Sequence, residues 1–388
     1  MSKRSLNESA SQRMMHLLID ATGAGGRLTG LERYTREVTG SLWDLAQDRG
    51  VRITVAVTRS AAWVDRLKPF SGGEILRSPF ESRLLTDHIW IPSQVIRFSP
   101  SHLFFPSFPP SPFAFITKAH IMRTIHDAVP WDYPETLSWK GWAYFRSLEN
   151  IGLPRYRTIF TVSNRSKGAL DRLFPALSER IINAGNGLSN FWNANSGEGE
   201  IKRIRKEYGI TGPFLLSVGT LEPRKNFPFL IRAFAQALPV IPNVKLVLVG
   251  RKGWGADEVF EEVQRKKIAD SFIWLENVGD DALRDLYRIA SLFLYPSLNE
   301  GFGLPLLEAM SCGLPILASP ESAGFEVVGM AATLCSLRDS QLWAEKIVDL
   351  LQNPMAREAL SEEGIRQSRK FHWPTVAERI WTRMMEEF

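Results

Sequence analysis

Two glutamates, Glu300 and Glu308, stand with seven residues between them, and the intervening run opens Gly301-Phe302-Gly303-Leu304-Pro305. Ionised carboxylates only accept hydrogen bonds. The start of a helix offers the converse, free backbone N–H groups at the positive end of the helix dipole. Residues 291–296 form a short apolar run of the buried parallel-strand kind, and Pro305 suits the first helical position, where its missing N–H costs nothing. A strand, a glycine-rich turn and a helix from Pro305 to about Cys312 are therefore predicted, with the amides of Gly301, Phe302, Gly303 and Leu304 unpaired at the turn. Such a terminus attracts phosphate or sugar oxygens, and the two flanking acceptors suit hydroxyl groups. A ligand with both a diphosphate and hydroxyls, a nucleotide sugar, satisfies the set. The plainer reading of two such glutamates alone is a strand-to-helix junction with solvated carboxylates.

Two more clusters stand at predicted strand ends, where ligands bind in open parallel sheets. Residues 214–219 read as a strand that runs into Thr220-Leu221-Glu222-Pro223-Arg224-Lys225-Asn226. Arg224 and Lys225 can clamp a diphosphate there and neutralise charge on a departing nucleotide, or be surface charge only. Residues 119–125 likewise end in His126-Asp127, a pair that serves a ligand or makes a structural hydrogen bond. Near the start, a strand over 14–20 enters a glycine-rich run, 21–30. Leu28 takes the place of the third glycine of a dinucleotide fingerprint, and Leu31-Glu32 stands where a phosphate-binding Walker loop needs Lys-Ser/Thr. An NAD enzyme and an NTPase both lose support.

These groups must be positioned by an alternation of strands and helices. A helix is predicted from about 31 to 46, a strand over 51–58, and a poor pattern from there to 115, within which 104–113 is a stiff, proline-rich aromatic loop without helix. Residues 139–157 mix Trp139, Trp142, Tyr144 and Phe145 with Lys140, Arg146, Arg155 and Arg157, as in a core helix with solvated charges or one lying on a membrane surface. After a strand over 159–164 and a turn at 183–187, the stretch 190–200 is rich in Asn, Ser, Gly and Glu and is the expected domain boundary. The second half repeats the scheme, with strands at 214–219, 245–250 and 273–279, a basic helix over 201–208 and another helix over 281–290. Two doubly wound parallel α/β sheets are implied.

The bulk properties agree. A chain of 388 residues is long for one core, with 44% hydrophobic and 23% charged residues ordinary for a globular protein. Two cysteines make neither a disulfide framework nor a metal set. Residues 1–13 are polar, as a disordered tail would be, and no apolar run reaches the roughly 18 residues of a membrane span, so a cytoplasmic protein is expected. The net charge of +5 is spread along the chain without a nucleic-acid-binding motif, which argues against nucleic acid and fits a diphosphate donor or anionic lipid head groups.

The Glu300–Glu308 motif, with Thr220–Asn226, the His126-Asp127 strand end and Gly26-Arg-Leu-Thr-Gly30 running on to Glu37, resembles the retaining glycosyltransferases of family 4, of the mannosyltransferase-like group 1 kind. The resemblance covers nearly the whole chain beyond residue 14 and is densest over 214–318. It implies the GT-B fold, two Rossmann-like domains facing across a cleft: an acceptor domain over 14–192, a nucleotide-sugar domain over 200–371, and a last helix, 372–388, that crosses back onto the first domain. By the same resemblance Arg224 and Lys225 stabilise the departing diphosphate, Glu300 and the 302–304 amides hold sugar hydroxyls and phosphate, Glu308 holds the ribose, and His126 sits against the sugar. Gly26 and Gly30 lie under the diphosphate, while Gly219 and Val278 border the donor. No Asp-x-Asp pair occurs, so neither a metal nor another cofactor is expected. The departures are local: Phe325 stands where proline, and Met330 where aspartate, is commoner. The expected reaction is hexose transfer, best matched by mannose from GDP-mannose, to a lipid-linked or saccharide acceptor in envelope polysaccharide assembly at the inner face of the membrane. A sugar-nucleotide epimerase of the same architecture and a non-catalytic nucleotide-sugar binder are the alternatives.

Overall fold

The structure, a computed structural model, describes residues 15–25, 29–134, 139–193 and 197–386. The expected tail over 1–13 and the proposed donor-binding Gly26 lie outside these residues. Seven parallel strands form the first sheet: β1 (His16–Asp20), β2 (Arg52–Val57), β3 (Gly73–Arg77), β4 (His102–Phe105), β5 (His120–Thr124), β6 (Thr158–Thr161) and β7 (Ile181–Asn183), in the order β3-β2-β1-β4-β5-β6-β7. Six make the second: β8 (Phe214–Val218), β9 (Lys245–Val249), β10 (Phe272–Leu275), β11 (Leu292–Tyr295), β12 (Ile316–Ala318) and β13 (Ala332–Leu334), in the order β10-β9-β8-β11-β12-β13. This is the GT-B arrangement. In each sheet the order reverses once, between β1 and β4 and between β8 and β11, and ligands bind outside the strand ends at such reversals.

The poorly patterned stretch before residue 115 holds more structure than its periodicity indicates. It contains β3, a helical segment over 83–98 and β4, so the proline-rich run begins inside a strand and ends in the 3-10 turn Pro112–Phe115. The reason is physical: β3 is a half-buried edge strand and β4 only four buried residues, too short to show a period.

Two helices set the site. The first, α1 (Gly30–Arg49), starts at a capping box in which Thr29 Oγ1 accepts from the Glu32 amide while Glu32 Oε2 accepts from the Thr29 amide. That box places Arg33 one residue past its glutamate, on the cleft side. The C-terminal helix, Trp373–Glu386, packs on α1, with Glu378 bonded to Arg49 at 2.7 Å and the Arg49 guanidinium over Trp381. Ile380, Trp381 and Met384 thereby join Val38, Leu42 and Trp43 in one apolar core. That core continues across the cleft to Tyr287, Phe302 and Leu306 of the second domain.

Candidate active site

Strands β8 and β11 pair with Leu215 beside Leu292, so Val218 and Tyr295 end them at one level and the following loops leave side by side. Leu298 N donates to Arg224 O at 2.8 Å and ties the two loops together. The β8 loop closes in a 3-10 turn, Pro223–Lys225, that ends on Asn226 at φ 55°, a left-handed conformation asparagine tolerates. This turn folds Lys225 back under the sheet end. Its Nζ donates to Glu300 Oε1 at 2.5 Å and to the Tyr295 hydroxyl at 3.1 Å, and its stem lies against Gly219, where an added Cβ would come 3.1 Å from Cε. Arg224 bridges Glu300 Oε2 at 2.7 Å and Glu222 Oε1 at 2.6 Å.

Two cations and two carboxylates therefore balance in a nearly closed space. Burial alone would raise the Glu300 carboxyl, yet Arg224 and Lys225 outweigh it and hold it at about 2. Burial pushes the Lys225 ammonium below its usual value; Glu300 opposes this and the like charge of Arg224 adds to it. Asp127, at the first domain's edge of the site, is pushed up by burial against the pull of Arg224. A diphosphate entering here meets guanidinium and ammonium donors whose present partners are carboxylates.

His126 faces this cluster from the end of β5. Its Nε2 donates to Pro106 O at 2.8 Å, so Nδ1 keeps its lone pair. Burial lowers its titration to about 4, with the Pro106 bond opposing and Arg123 assisting. The imidazole is thus neutral, packed edge-on against Tyr34 with ring centres 4.6 Å apart. Because the unfolded histidine titrates near 6.5, its contribution to stability is full above that pH and declines as pH falls toward 4. The stability difference between wild type and His126→Gln should accordingly narrow by ~3 kcal/mol between pH 7 and 4 in denaturant melts; a constant difference would mean that His126 takes up its proton in the folded protein as readily as in the unfolded chain.

The turn carrying Glu300 is docked onto the first domain. Gly301 O accepts from Ser163 Oγ at 2.5 Å and Ser166 Oγ at 3.0 Å, and Ser166 Oγ also reaches His126 O at 2.8 Å. A Cβ on Gly301 would fall 2.3 Å from His126 O. Glycine is required there by proximity alone. Gly303 adopts φ 95° and starts α2 (Leu304–Ser311) one residue earlier than Pro305 indicates. Among the described residues, no acceptor is paired with the amides of Gly301, Phe302, Gly303 or Leu304. The Phe302 ring itself is buried against Phe371.

Glu308 lies one turn into α2 and is already engaged. One oxygen accepts from the Arg33 guanidinium and the other from the Tyr287 hydroxyl at 3.1 Å; Arg33 also bonds Asp280 at 2.6 Å and lies 4.8 Å over the Trp192 ring. Arg33 comes from the first domain and its two carboxylate partners from the second. A cavity of about 280 Å³ is lined by Arg33, Trp192, Asp280, Leu304 and Glu308, and Gly30 sits across from Leu304, 3.5 Å from a notional Cβ to Leu304 Cδ1. Val278 is half-buried in the turn that leads to Asp280. A second cavity, about 550 Å³, opens beside Asp127, Tyr133, Arg165 and Glu300.

The structure therefore brings Arg224, Lys225 and Glu300 into contact, sets His126 and Gly301 against each other, and groups Gly30, Leu304 and Glu308 on the far side. Sequence reasoning passed over Arg33, Glu222, Tyr287 and Tyr295. Arg33 and Glu222 stand inside motif strings, so a signal existed; the two tyrosines read as core residues, and only the fold turns their hydroxyls onto carboxylates.

Residues 200–367 match the family described as glycosyl transferases group 1. O-antigen chain mannosyltransferase B of Escherichia coli is 32% identical over 255 residues, 65% of this chain and 66% of that protein. O-antigen chain mannosyltransferase RfbU of Salmonella typhimurium is 28% identical over 234 residues, 60% of this chain and 61% of that protein. The chain thus spans somewhat less than two thirds of the length of these curated relatives. The crystal structure of Anabaena HepE in complex with UDP and glucose superposes with a TM-score of 0.72 at 19% identity, covering 96% of this chain and 99% of that one, a likeness of fold.

Proposed function

We propose that the chain is a group 1 glycosyltransferase that transfers a hexose, mannose from GDP-mannose, with retained configuration, to a lipid-linked or saccharide acceptor in envelope polysaccharide assembly. One observation carries the reading: Arg224 and Lys225 with Glu222 and Glu300 form a balanced buried cluster at the β8/β11 reversal, facing the β1/β4 half across the cleft. The two mannosyltransferase relatives support the choice of sugar.

In this mechanism the donor diphosphate takes Arg224 and Lys225 as partners in place of Glu222 and Glu300. Glu300, released, accepts from sugar hydroxyls, with the free amides of residues 302–304 beside it. The bond between the anomeric carbon and the phosphate oxygen breaks and its electron pair leaves with the diphosphate, whose charge the two cations neutralise. The acceptor oxygen attacks from the same side and its proton passes to a phosphate oxygen. Neutral His126 adds no positive charge next to the developing cation. Glu308 holds the ribose once Arg33 releases it, so donor binding exchanges one interdomain contact for another. No metal ion is needed in this scheme, which operates at the inner face of the cytoplasmic membrane.

The test is nucleotide release from GDP-, UDP-, dTDP- and ADP-sugars in EDTA, with membrane lipid as acceptor. Lipid-dependent release from GDP-mannose and an α-linked product are expected, and Glu308→Gln should raise the donor KM about tenfold. Activity restored only by metal would overturn the cationic mechanism, a β-linked product would overturn retention, and an unaltered KM would remove the ribose from Glu308. Donor binding without any transfer would favour the binder.

A further inference from the structure

An interior strand of the first sheet carries a full charge. Strands of parallel sheets are ordinarily continuous apolar runs, yet Arg123 stands in β5 with 1% exposure, paired in register with Phe105 of β4. Its counter-ion is Glu149, wholly buried on the helix Trp139–Gly152. Glu149 Oε1 accepts from Arg123 Nε at 3.1 Å and from Nη2 at 3.0 Å, and Glu149 Oε2 accepts from the Tyr156 hydroxyl at 3.0 Å. The rest of the guanidinium turns to backbone. Nη1 donates to Phe105 O at 3.3 Å and to Thr124 O, and Nη2 donates to Ser107 O at 3.3 Å.

Those carbonyls are not arbitrary. Phe105 and Ser107 flank Pro106, whose own carbonyl accepts from His126 Nε2 at 2.8 Å. One side chain therefore grips both ends of the tripeptide that orients the imidazole and, through Thr124, the backbone two residues before that imidazole. Ser107 in turn leaves no room for a Cβ on Gly23, in the loop that leaves β1, so the grip lies at the β1/β4 reversal of the first sheet. Stability does not account for the pair. Well-packed apolar side chains in place of a buried ion pair commonly leave a fold as stable or more so, whereas a guanidinium held on one edge by a carboxylate presents its remaining N–H groups in a fixed fork.

We propose that Arg123 and Glu149 are positioning residues: they clamp residues 105–107 so that Pro106 O fixes the Nε2–H tautomer and the aim of the His126 ring. The consequence for turnover rests on the reading that His126 sits against the donor sugar; the clamp itself does not. Two variants of the full chain test it. Arg123→Lys keeps a positive charge for Glu149, but one ammonium cannot reach the carboxylate and the carbonyls of 105, 107 and 124 together. The double variant Arg123→Met, Glu149→Leu removes both charges and leaves no unpaired ion, so its denaturation midpoint should lie at or above that of wild type. Nitrogen-15 NMR of the histidine rings, with the His126 signals identified by their loss in His126→Gln, reads the tautomer without any substrate. Wild type should show Nε2 protonated and Nδ1 bare, and in both variants the two tautomers should mix. Single-turnover transfer from GDP-mannose should fall on the order of 10²-fold in both, as for a displaced group at a reacting centre. An Nδ1–H ring in wild type, or variants whose ring signals match wild type, overturns the clamp. Altered tautomers with undiminished turnover uphold the clamp and remove His126 from the transfer. Should wild type transfer no sugar at all, the reading of the cleft falls and the ring signals still decide the clamp.

Discussion

Lys225→Met lowers turnover by on the order of 10²- to 10³-fold, the cost of removing one preorganised donor to charge that develops in the transition state. Methionine keeps the unbranched stem against Gly219, so the loss is electrostatic more than steric. Lys225 is the sharper test than Arg224 because its ammonium is buried under the strand end, between Glu300 and Tyr295, and a solvent cation cannot take its place. Arg224→Ala should fall in the same range, and the double variant should lose less than the product of the two, since the proposed mechanism sets both groups on one departing diphosphate. Deleting either cation leaves the buried Glu300 half compensated, a penalty of about 3 kcal/mol on the fold. Thermal melts therefore accompany single-turnover kinetics, and folded variants with normal turnover would remove both cations from the mechanism.

Gly301→Ala should cost on the order of 10²-fold in kcat/KM without touching any charged group. The added Cβ would meet His126 O at 2.3 Å and Asp127 Cβ at 3.0 Å, and neither is the end of a flexible side chain. Relief requires the 297–303 turn to withdraw from the first domain, which also strips Gly301 O of the Ser163 and Ser166 hydroxyls. Glu300 would then be displaced by about 1 Å, enough to misalign a reacting pair. X-ray scattering should show a more open chain than wild type, and donor should close the variant less. Wild-type kinetics in Gly301→Ala would mean that the docked turn is not the productive arrangement.

Ser163, Ser166 and Glu326 show what a linear reading leaves out. Ser163 caps its own helix by accepting from Ser166 N and still donates across the cleft to Gly301; the Asn164 amide, at the same helix start, takes Glu326 of the second domain at 2.8 Å. Nothing in the local sequence distinguishes these from an ordinary cap. Ser163 is a cap whose remaining hydrogen-bond capacity is used by a residue more than a hundred positions away, and Glu326 accepts from a helix start equally remote in sequence.

What the sequence alone determined follows from short-range physics. Period-two and buried apolar runs placed most strands, glycine and proline marked the turns at their ends, and the Glu-x7-Glu and Arg-Lys strings, each local, named groups that the fold brings to the cleft. β3, β4, β7, β12 and β13 escaped, along with the helical layer over 83–98: β3, β7 and β13 are sheet edges, and β4 and β12 are only four and three residues long. Tertiary structure decided the rest: that Glu308 is held by Arg33, that Tyr287 and Tyr295 face carboxylates, that His126 is neutral, and that Gly301 must lack a side chain. The hold on Glu308 and the demand at Gly301 depend on contact between the two domains, whereas the tyrosine contacts depend on packing within the second. Charge state and close approach are set by everything that surrounds a group, and the chain brings those neighbours together only when the two sheets face each other.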